Sequence, residues 1–99
     1  MKLVYTEQAI LSLNECLNFL PSDLPSEKVN EIRDQILDKA DMLLINPKLG
    51  QIEKYLEHIG KSHRRLIEGY YKIVYRVEGE LIFVTDIFDS RQDPSKMRA

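Results

Sequence analysis

Apolar and polar residues alternate with a period of two over much of residues 63–88. This spacing predicts β-strands, because successive side chains of a strand leave on opposite faces. Gly69 and Gly79 divide the stretch into three runs rich in β-branched and aromatic residues. Runs of this kind with short connections predict a three-stranded antiparallel meander. In the middle run one face carries the apolar set Tyr71, Ile73, Tyr75 and Val77. The other face carries Tyr70, Lys72, Val74 and Arg76.

The first hairpin of this meander has a register that its apolar residues decide. A slip of one residue would turn every buried side chain outward, so the apolar sets of the two strands must face each other. A two-residue turn at Gly69-Tyr70 meets this condition and sets Leu66 opposite Ile73 on the core side.

The second hairpin is predicted in the same way. In the last run the set without a charge is Leu81, Phe83, Thr85 and Ile87. Burying that set requires Val77 opposite Leu81 across a three-residue loop, with Gly79 or a neighbour at positive φ. The same register predicts that Lys72 lies opposite Asp86.

These registers gather basic residues on the solvent-facing side of the sheet. The residues gathered there are His63, Arg65, Lys72 and Arg76. Residues 61–77 contain five Lys or Arg and one acid, in a chain whose net charge is −2. Positive charge concentrated on one face is typical of a polyanion site or of a surface for an acidic partner. The alternative is an ordinary solvated face with one Lys72–Asp86 pair.

Helical periodicity dominates the first half of the chain. Thr6 is a predicted N-cap, and apolar residues at three- and four-residue spacing follow it until Pro21. A second amphipathic helix is predicted from about Ser26 to Ile45, where Asn46-Pro47 stops it. Residues 48–62 are predicted to form a loop with one turn of helix. The polar residues 91–99 are predicted to form a partly flexible tail.

Composition limits the class of protein. The chain has 99 residues, of which 43% are hydrophobic and 30% charged, as expected for a single globular domain spanning residues 1–99. The single cysteine, Cys16, excludes an internal disulfide and gives no metal-site spacing. No apolar run is long enough for a membrane helix, and we expect a cytoplasmic protein without a membrane partner, metal or cofactor. A pI near 5.7 argues against a dedicated nucleic-acid binder.

Several short motifs, in this order, resemble the RelE/ParE superfamily of type II toxin–antitoxin toxins, and the ParE-like plasmid stabilisation proteins in particular. They are Asn46-Pro47-x-x-Gly50, then Arg64-x-Leu66-x-x-Gly69-x-Tyr71-Lys72-Ile73-x-Tyr75-Arg76-Val77, then Ile87-Phe88-Asp89-x-Arg91-Gln92-Asp93-Pro94. The resemblance implies an α+β fold of order β-α-α-β-β-β, with a helix hairpin on one face of a mainly antiparallel sheet. It also implies growth inhibition and a cognate antitoxin, and leaves a homodimer open.

The resemblance implies one of two targets. ParE-like members act on a topoisomerase, DNA gyrase, whereas RelE-like members are endoribonucleases that cut mRNA on the ribosome. In the second case the matching catalytic residues would be His63, Arg65, Lys72 and Arg91. The basic residues would hold the phosphate and stabilise the transition state, and His63 would move a proton. Further candidate binding residues are Arg64, Tyr70 and Arg76.

Two departures favour the ParE-like reading. The chain has no tyrosine or histidine after Arg91, where the ribonucleases commonly carry one. Asp89 lies where many relatives have histidine, and a carboxylate repels phosphate. Whether the protein is an enzyme therefore depends on the branch, and a third possibility is an inactive relative that serves as a binding module.

Overall fold

The computed structural model describes residues 1–99, which form five strands and two α-helices. The strands are β1 (Lys2–Tyr5), β2 (Gln51–Ile52), β3 (Arg64–Glu68), β4 (Tyr71–Glu78) and β5 (Leu81–Asp89). The helices are α1 (Glu7–Asn18) and α2 (Ser26–Asp41). Short 3-10 helices lie at Met42–Leu44, Lys54–Ile59 and Pro94–Lys96. None of the helices has the length and apolar content that crossing a bilayer requires.

The five strands form one sheet with the spatial order β1-β5-β4-β3-β2. Strand β1 runs parallel to β5, and the other neighbours are antiparallel. The predicted α+β architecture, with two helices before a meander, is confirmed. The two-residue strand β2 was not predicted, because residues 51–52 are too few to produce a periodic pattern.

Helix α1 begins at the predicted cap, since the Thr6 hydroxyl oxygen accepts a hydrogen bond from the Ala9 amide at 3.1 Å. Its buried residues include Ala9 and Cys16, whereas Ile10, which also belongs to the apolar period, is 49% exposed. Helix α2 ends at Asp41 and continues as the 3-10 helix Met42–Leu44, close to the predicted end.

The main core lies between the helices and one face of the sheet. Buried apolar side chains of both helices meet buried side chains of the three meander strands there. The members contributed by the sheet are Leu66, Tyr71, Ile73, Tyr75, Ile82, Val84 and Ile87. Most of the hydrophobic stabilisation is expected from this layer, because it contains most of the fully buried apolar residues.

The first hairpin has the predicted register, with Leu66 opposite Ile73 and a turn at Gly69-Tyr70. The second hairpin does not. Glu78 lies opposite Leu81, so the turn contains only Gly79 and Glu80, with Gly79 at a φ of 59°.

A β-bulge in strand β5 explains the failed prediction. Val74 pairs with Asp86, but the next residue, Tyr75, pairs with Val84, so that Thr85 has no partner of its own. The bulge lets Ile82, Val84 and Ile87 share the core although their spacing is not strictly alternate. Lys72 consequently lies opposite Phe88, and the predicted Lys72–Asp86 pair is wrong.

The other face of the sheet is partly covered. Leu56 from the 3-10 helix Lys54–Ile59 and Met97 from the C-terminal segment pack against Val74 and Phe88 in a second, smaller apolar cluster. Residues 48–62 therefore form a strand and a 3-10 helix, rather than a loop with one helical turn. Flexibility of residues 91–99 stays a prediction, although Met97 itself is buried.

Candidate functional site

The predicted basic surface contains a buried carboxylate at its centre. Glu53 is only 2% exposed, and its Oε1 atom lies 3.0 Å from Lys72 Nζ and 3.8 Å from Arg65 Nε. We call Glu53, Arg65 and Lys72 the Glu53 cluster. One carboxylate oxygen thus faces two cations, so that the charge of these predicted catalytic residues is largely compensated within the protein.

Local structure places Glu53 there. The residue follows β2 and precedes the 3-10 helix Lys54–Ile59, and its amide donates to the His63 carbonyl at 2.9 Å. Its Oε2 atom accepts a hydrogen bond from the Tyr55 amide at 3.2 Å, which caps the 3-10 helix. The sequence indicated nothing of this, because residues 48–62 have no clear period.

Arg65 makes further contacts with the edge strand. Its Nη1 atom donates to the Ile52 carbonyl at 2.6 Å, and its Nη2 atom donates to Gln51 Oε1 at 3.2 Å. Together with the contact to Glu53, these bonds engage all three nitrogens of the guanidinium group. Arg65 therefore holds β2 against the sheet and has no free nitrogen for a ligand.

His63 lies on the same side of the sheet but is not exposed. It is 1% exposed, and neither ring nitrogen has a hydrogen-bond partner within the protein. Burial lowers the pKa of His63 below its usual 6.5, and the positive charges of Arg76 and Lys61 lower it further. The imidazole is accordingly neutral near pH 7, and it is not accessible to a substrate.

Arg76 and Arg64 have separate partners. Arg76 forms an ion pair with Glu78 and lies over the Phe83 ring, with its guanidinium carbon 4.5 Å from the ring centroid. Arg64 lies on the opposite side of β3 from Arg65, and its Nη1 atom donates to the Gly50 carbonyl at 2.7 Å. The predicted surface of His63, Arg65, Lys72 and Arg76 thus shares one side of the sheet, but it is not open to solvent as a group.

The close contacts of Gly50 give a physical reason for the motif Asn46-Pro47-x-x-Gly50. A Cβ atom at this position would lie 2.5 Å from the Arg65 carbonyl oxygen and 2.8 Å from the Tyr75 hydroxyl oxygen. The Tyr75 hydroxyl donates to the Pro47 carbonyl at 2.8 Å and accepts from the Gly50 amide at 2.9 Å. The motif therefore fastens the segment before β2 to the centre of the sheet.

Arg91 and Tyr70 form an exposed corner at the other end of β4. Arg91 makes two side-chain hydrogen bonds to Asp89, at 2.7 and 2.9 Å, and its guanidinium carbon lies 4.5 Å from the centroid of the Tyr70 ring. The hydrogen bond from Arg91 lowers the pKa of Asp89 below 3.8. We call Tyr70, Asp89 and Arg91 the Arg91 corner.

A groove of about 540 Å³ begins at the Arg91 corner and extends toward α2. Its apolar lining includes Leu20, Ile32 and Ile36. Tyr70 is 62% exposed, and its role as a contact residue stays a prediction. The groove could not be predicted, because residues from α2 and from the first hairpin form it together.

A second cleft, of about 630 Å³, lies between α1, β5 and the C-terminal segment. Asp86 borders it and is 2% exposed, with its Oδ2 atom accepting from the Arg98 amide at 2.9 Å. Burial raises the pKa of Asp86 above 3.8, although a hydrogen bond with Ser12 opposes this effect. Burial likewise raises the pKa of the Cys16 thiol to about 11, so Cys16 is not a reactive thiolate.

Comparison with known proteins identifies the class. The family model described as "ParE toxin of type II toxin-antitoxin system, parDE" matches residues 3–94. Because this match spans nearly the whole chain, the protein belongs to the ParE toxin family of type II toxin–antitoxin systems.

A solved structure described as "Chromosomal ParDE TA system from P. aeruginosa" contains a chain with a similar fold. The TM-score is 0.74 at 20% sequence identity, and the match covers 90% of this chain and 95% of that chain. At this identity the likeness concerns the fold. No curated protein matches the chain.

Proposed function

We propose that this protein is the toxin of a type II toxin–antitoxin pair, that it inhibits growth by acting on a topoisomerase such as DNA gyrase, and that a cognate antitoxin neutralises it. The observation that carries the proposal is the family match over residues 3–94. The protein acts by contact with its target rather than by cutting RNA.

The Glu53 cluster supports this branch over the ribonuclease branch. A ribonuclease of the RelE type needs cations that are free to hold a phosphate, but Arg65 and Lys72 face Glu53, and Arg91 is paired with Asp89. His63 is 1% exposed, whereas proton transfer requires contact with the reacting atoms. These contacts and this burial support the ParE-like branch over RNA cleavage by the four predicted catalytic residues.

The proposed contact surface for the topoisomerase is the Arg91 corner with its groove. Tyr70 offers an exposed aromatic ring beside a cation, a combination that is common at the centre of protein interfaces. The other two predicted binding residues are less available, because Arg64 is bonded to Gly50 and Arg76 to Glu78.

The antitoxin is proposed to cover exposed apolar side chains of the helix hairpin with an amphipathic segment. Large apolar side chains that are exposed on α1 or near the helix ends are Ile10, Leu11, Phe19, Leu44 and Ile45. Co-expression of the neighbouring short reading frame with this chain tests the partner. A complex that survives purification and restores growth is the expected result.

The target is tested with expression and with purified gyrase. Expression should stop growth and induce the DNA damage response, and the purified protein should inhibit supercoiling. Tyr70→Ala should weaken inhibition by about tenfold, as expected for an interface anchor, whereas Tyr55→Ala, which removes an equally exposed ring elsewhere, should not. Unchanged supercoiling would reject the proposal. Cleaved transcripts would instead support an mRNA interferase, and expression without any harm would support an inactive relative.

A further inference from the structure

Two neighbouring residues fasten the end of the chain to the sheet face opposite the main core. We call residues 94–99 the C-terminal strap. Met97 is the only buried residue of the strap, and its side chain packs on that face against Leu56, Val74 and Phe88. An apolar side chain held in this way is a usual anchor of a short bound peptide.

The backbone of Arg98 makes the second contact. Its amide donates to Asp86 Oδ2 at 2.9 Å, and its carbonyl oxygen accepts from the Thr85 hydroxyl at 3.4 Å. Asp86 and Thr85 are each 2% exposed, and the bulge of β5 lies at this contact. Both residues recognise main-chain atoms, which any extended segment possesses. Because Asp86 is a buried carboxylate that needs donors, a segment that replaces the strap must supply an amide of its own.

The cleft of about 630 Å³ between α1 and β5 continues from this contact. Outside the strap its lining contains three acids, Glu15, Asp86 and Asp89, and no lysine or arginine. Asp89 is already paired with a base that lies outside the cleft. The basic residues of the lining, Lys96 and Arg98, both belong to the strap. The charge of the remaining site therefore favours a basic occupant.

We propose that this face of the sheet is a binding site for a basic, extended segment of a partner protein, and that the C-terminal strap occupies it as an internal ligand which the partner displaces. The partner segment places an apolar side chain where Met97 lies, and its next residue replaces the amide and the carbonyl of Arg98. The strap is at the end of the chain, so it can leave without disturbing a strand or an α-helix. The cleft then gives the partner contact area that the strap does not use.

A peptide added to the full-length protein tests the proposal. Met97→Ser removes the anchor of the strap, whereas the control Met42→Ser removes a methionine that is 44% exposed. The probe is a fluorescein-labelled peptide of residues 92–99, titrated by fluorescence anisotropy. Met97→Ser should bind it at least about tenfold more tightly than the wild type and Met42→Ser, in which the tethered strap competes at a high effective concentration. Equal affinities of the three proteins would overturn the proposal.

Two altered peptides test the two contacts separately on the Met97→Ser protein. One peptide itself carries Met97→Ser and lacks the apolar anchor. The other is methylated at the Arg98 backbone nitrogen and lacks the hydrogen that Asp86 accepts. Each should bind at least about tenfold more weakly than the unaltered peptide, because apolar contact is lost or a buried carboxylate has one donor fewer. Unchanged binding of the methylated peptide would overturn the assigned site.

Amide hydrogen exchange of the wild type does not depend on how well Met97→Ser folds. The Arg98 amide should exchange at least about tenfold more slowly than in the free peptide, yet faster than the amides of β4, because the strap opens locally. Exchange at the rate of β4 would mean that the strap leaves only on global unfolding, and exchange at the rate of the free peptide that it is not bound. Either result would contradict a displaceable strap. Neither measurement involves a topoisomerase, so the outcome is separate from that of the toxin function proposed above.

Discussion

The Glu53 cluster and the Arg91 corner each contain a carboxylate paired with an arginine, but the two carboxylate–cation pairs differ in burial. Glu53 is 2% exposed and its cations about one-fifth exposed, whereas Arg91 is 58% exposed beside Asp89 at 12%. A buried ion pair is costly to break because the remaining charges lose their compensation, while an exposed pair contributes little. The first region therefore maintains the fold, and the second is available to a partner.

Removing the buried carboxylate should have the largest effect on stability. Glu53→Ala leaves Arg65 and Lys72 facing each other and removes the cap of the 3-10 helix, at a cost of about 3 kcal/mol. Urea unfolding followed by circular dichroism measures it. The control Glu57→Ala should change the free energy of unfolding by less than about 0.5 kcal/mol. Similar losses for both variants would show that the burial of Glu53 does not matter.

The next largest loss of stability is expected at Tyr75, whose hydroxyl bonds to the segment before β2 and Glu53. Tyr75→Phe removes hydrogen bonds to Pro47 and Gly50 in a buried environment and should cost about 2 kcal/mol. Tyr70→Phe in the Arg91 corner should leave the unfolding midpoint unchanged, because the Tyr70 hydroxyl makes no hydrogen bond within the protein. An equal effect of the two variants would contradict the contrast between the regions.

His63, whose carbonyl accepts from the Glu53 amide, and Asp89 in the Arg91 corner should also respond to acid in different pH windows. His63 has a lowered pKa in the folded state, so the unfolded chain takes up a proton more readily once the pH falls below 6.5. Its contribution to stability is therefore complete above 6.5 and is lost as the pH falls through the folded pKa. Asp89 behaves in the same direction, but its loss begins only near 3.8.

Unfolding free energies at about pH 8 and about pH 5.5 test this difference, because the loss of stability from the lowered pKa of His63 begins within that interval, whereas the loss from Asp89 begins below it. His63→Leu should reduce the acid loss and should not destabilise the protein at the higher pH, since neither ring nitrogen has a partner to lose. An acid loss that persists unchanged in His63→Leu would assign it to other groups. Asp86 has a raised pKa and works in the opposite direction, losing stability as the pH rises from 3.8.

The smallest effect on stability is expected at Arg91. Arg91→Ala removes an ion pair on the surface, and the unfolding midpoint should stay within experimental error. Inhibition of the target should nevertheless decrease, because the residue borders the proposed contact surface. Arg33→Ala removes another surface arginine paired with a neighbouring aspartate and is the matched control. A marked loss of stability in Arg91→Ala would contradict the view of the corner as a free surface.

Sequence patterns were sufficient for the helices and the first hairpin, since caps, prolines and apolar period are local signals. They failed at the second hairpin because we assumed that Asp86 must face solvent. In the structure, Asp86 is buried and hydrogen-bonded, and the bulge at Thr85 restores the apolar contacts on either side of it. A bulge of one residue leaves no mark in the alternation that could be read in advance.

The candidate site was predicted in part. Basic residues were placed correctly on one side of the sheet, but their partner Glu53 lies in a segment without periodicity, 12 to 19 residues from Arg65 and Lys72. A count of charges over one continuous stretch misses an acidic residue that lies outside the stretch in sequence and compensates its positive charge in the fold. For the same reason the groove at the Arg91 corner could not be predicted, because α2 contributes a third of its lining residues.

Pairing of the first strand with the last has a consequence for how the protein is made. Residues 2–5 bond to residues 81–84, and α1 also packs mainly on β5. Translation adds about 5 to 20 residues per second, so roughly 4 to 16 seconds pass between the synthesis of β1 and that of its partner strand. The toxin fold therefore forms only after β5 has been synthesised, and shorter chains lack the strand that pairs with β1 and β4 and packs against α1.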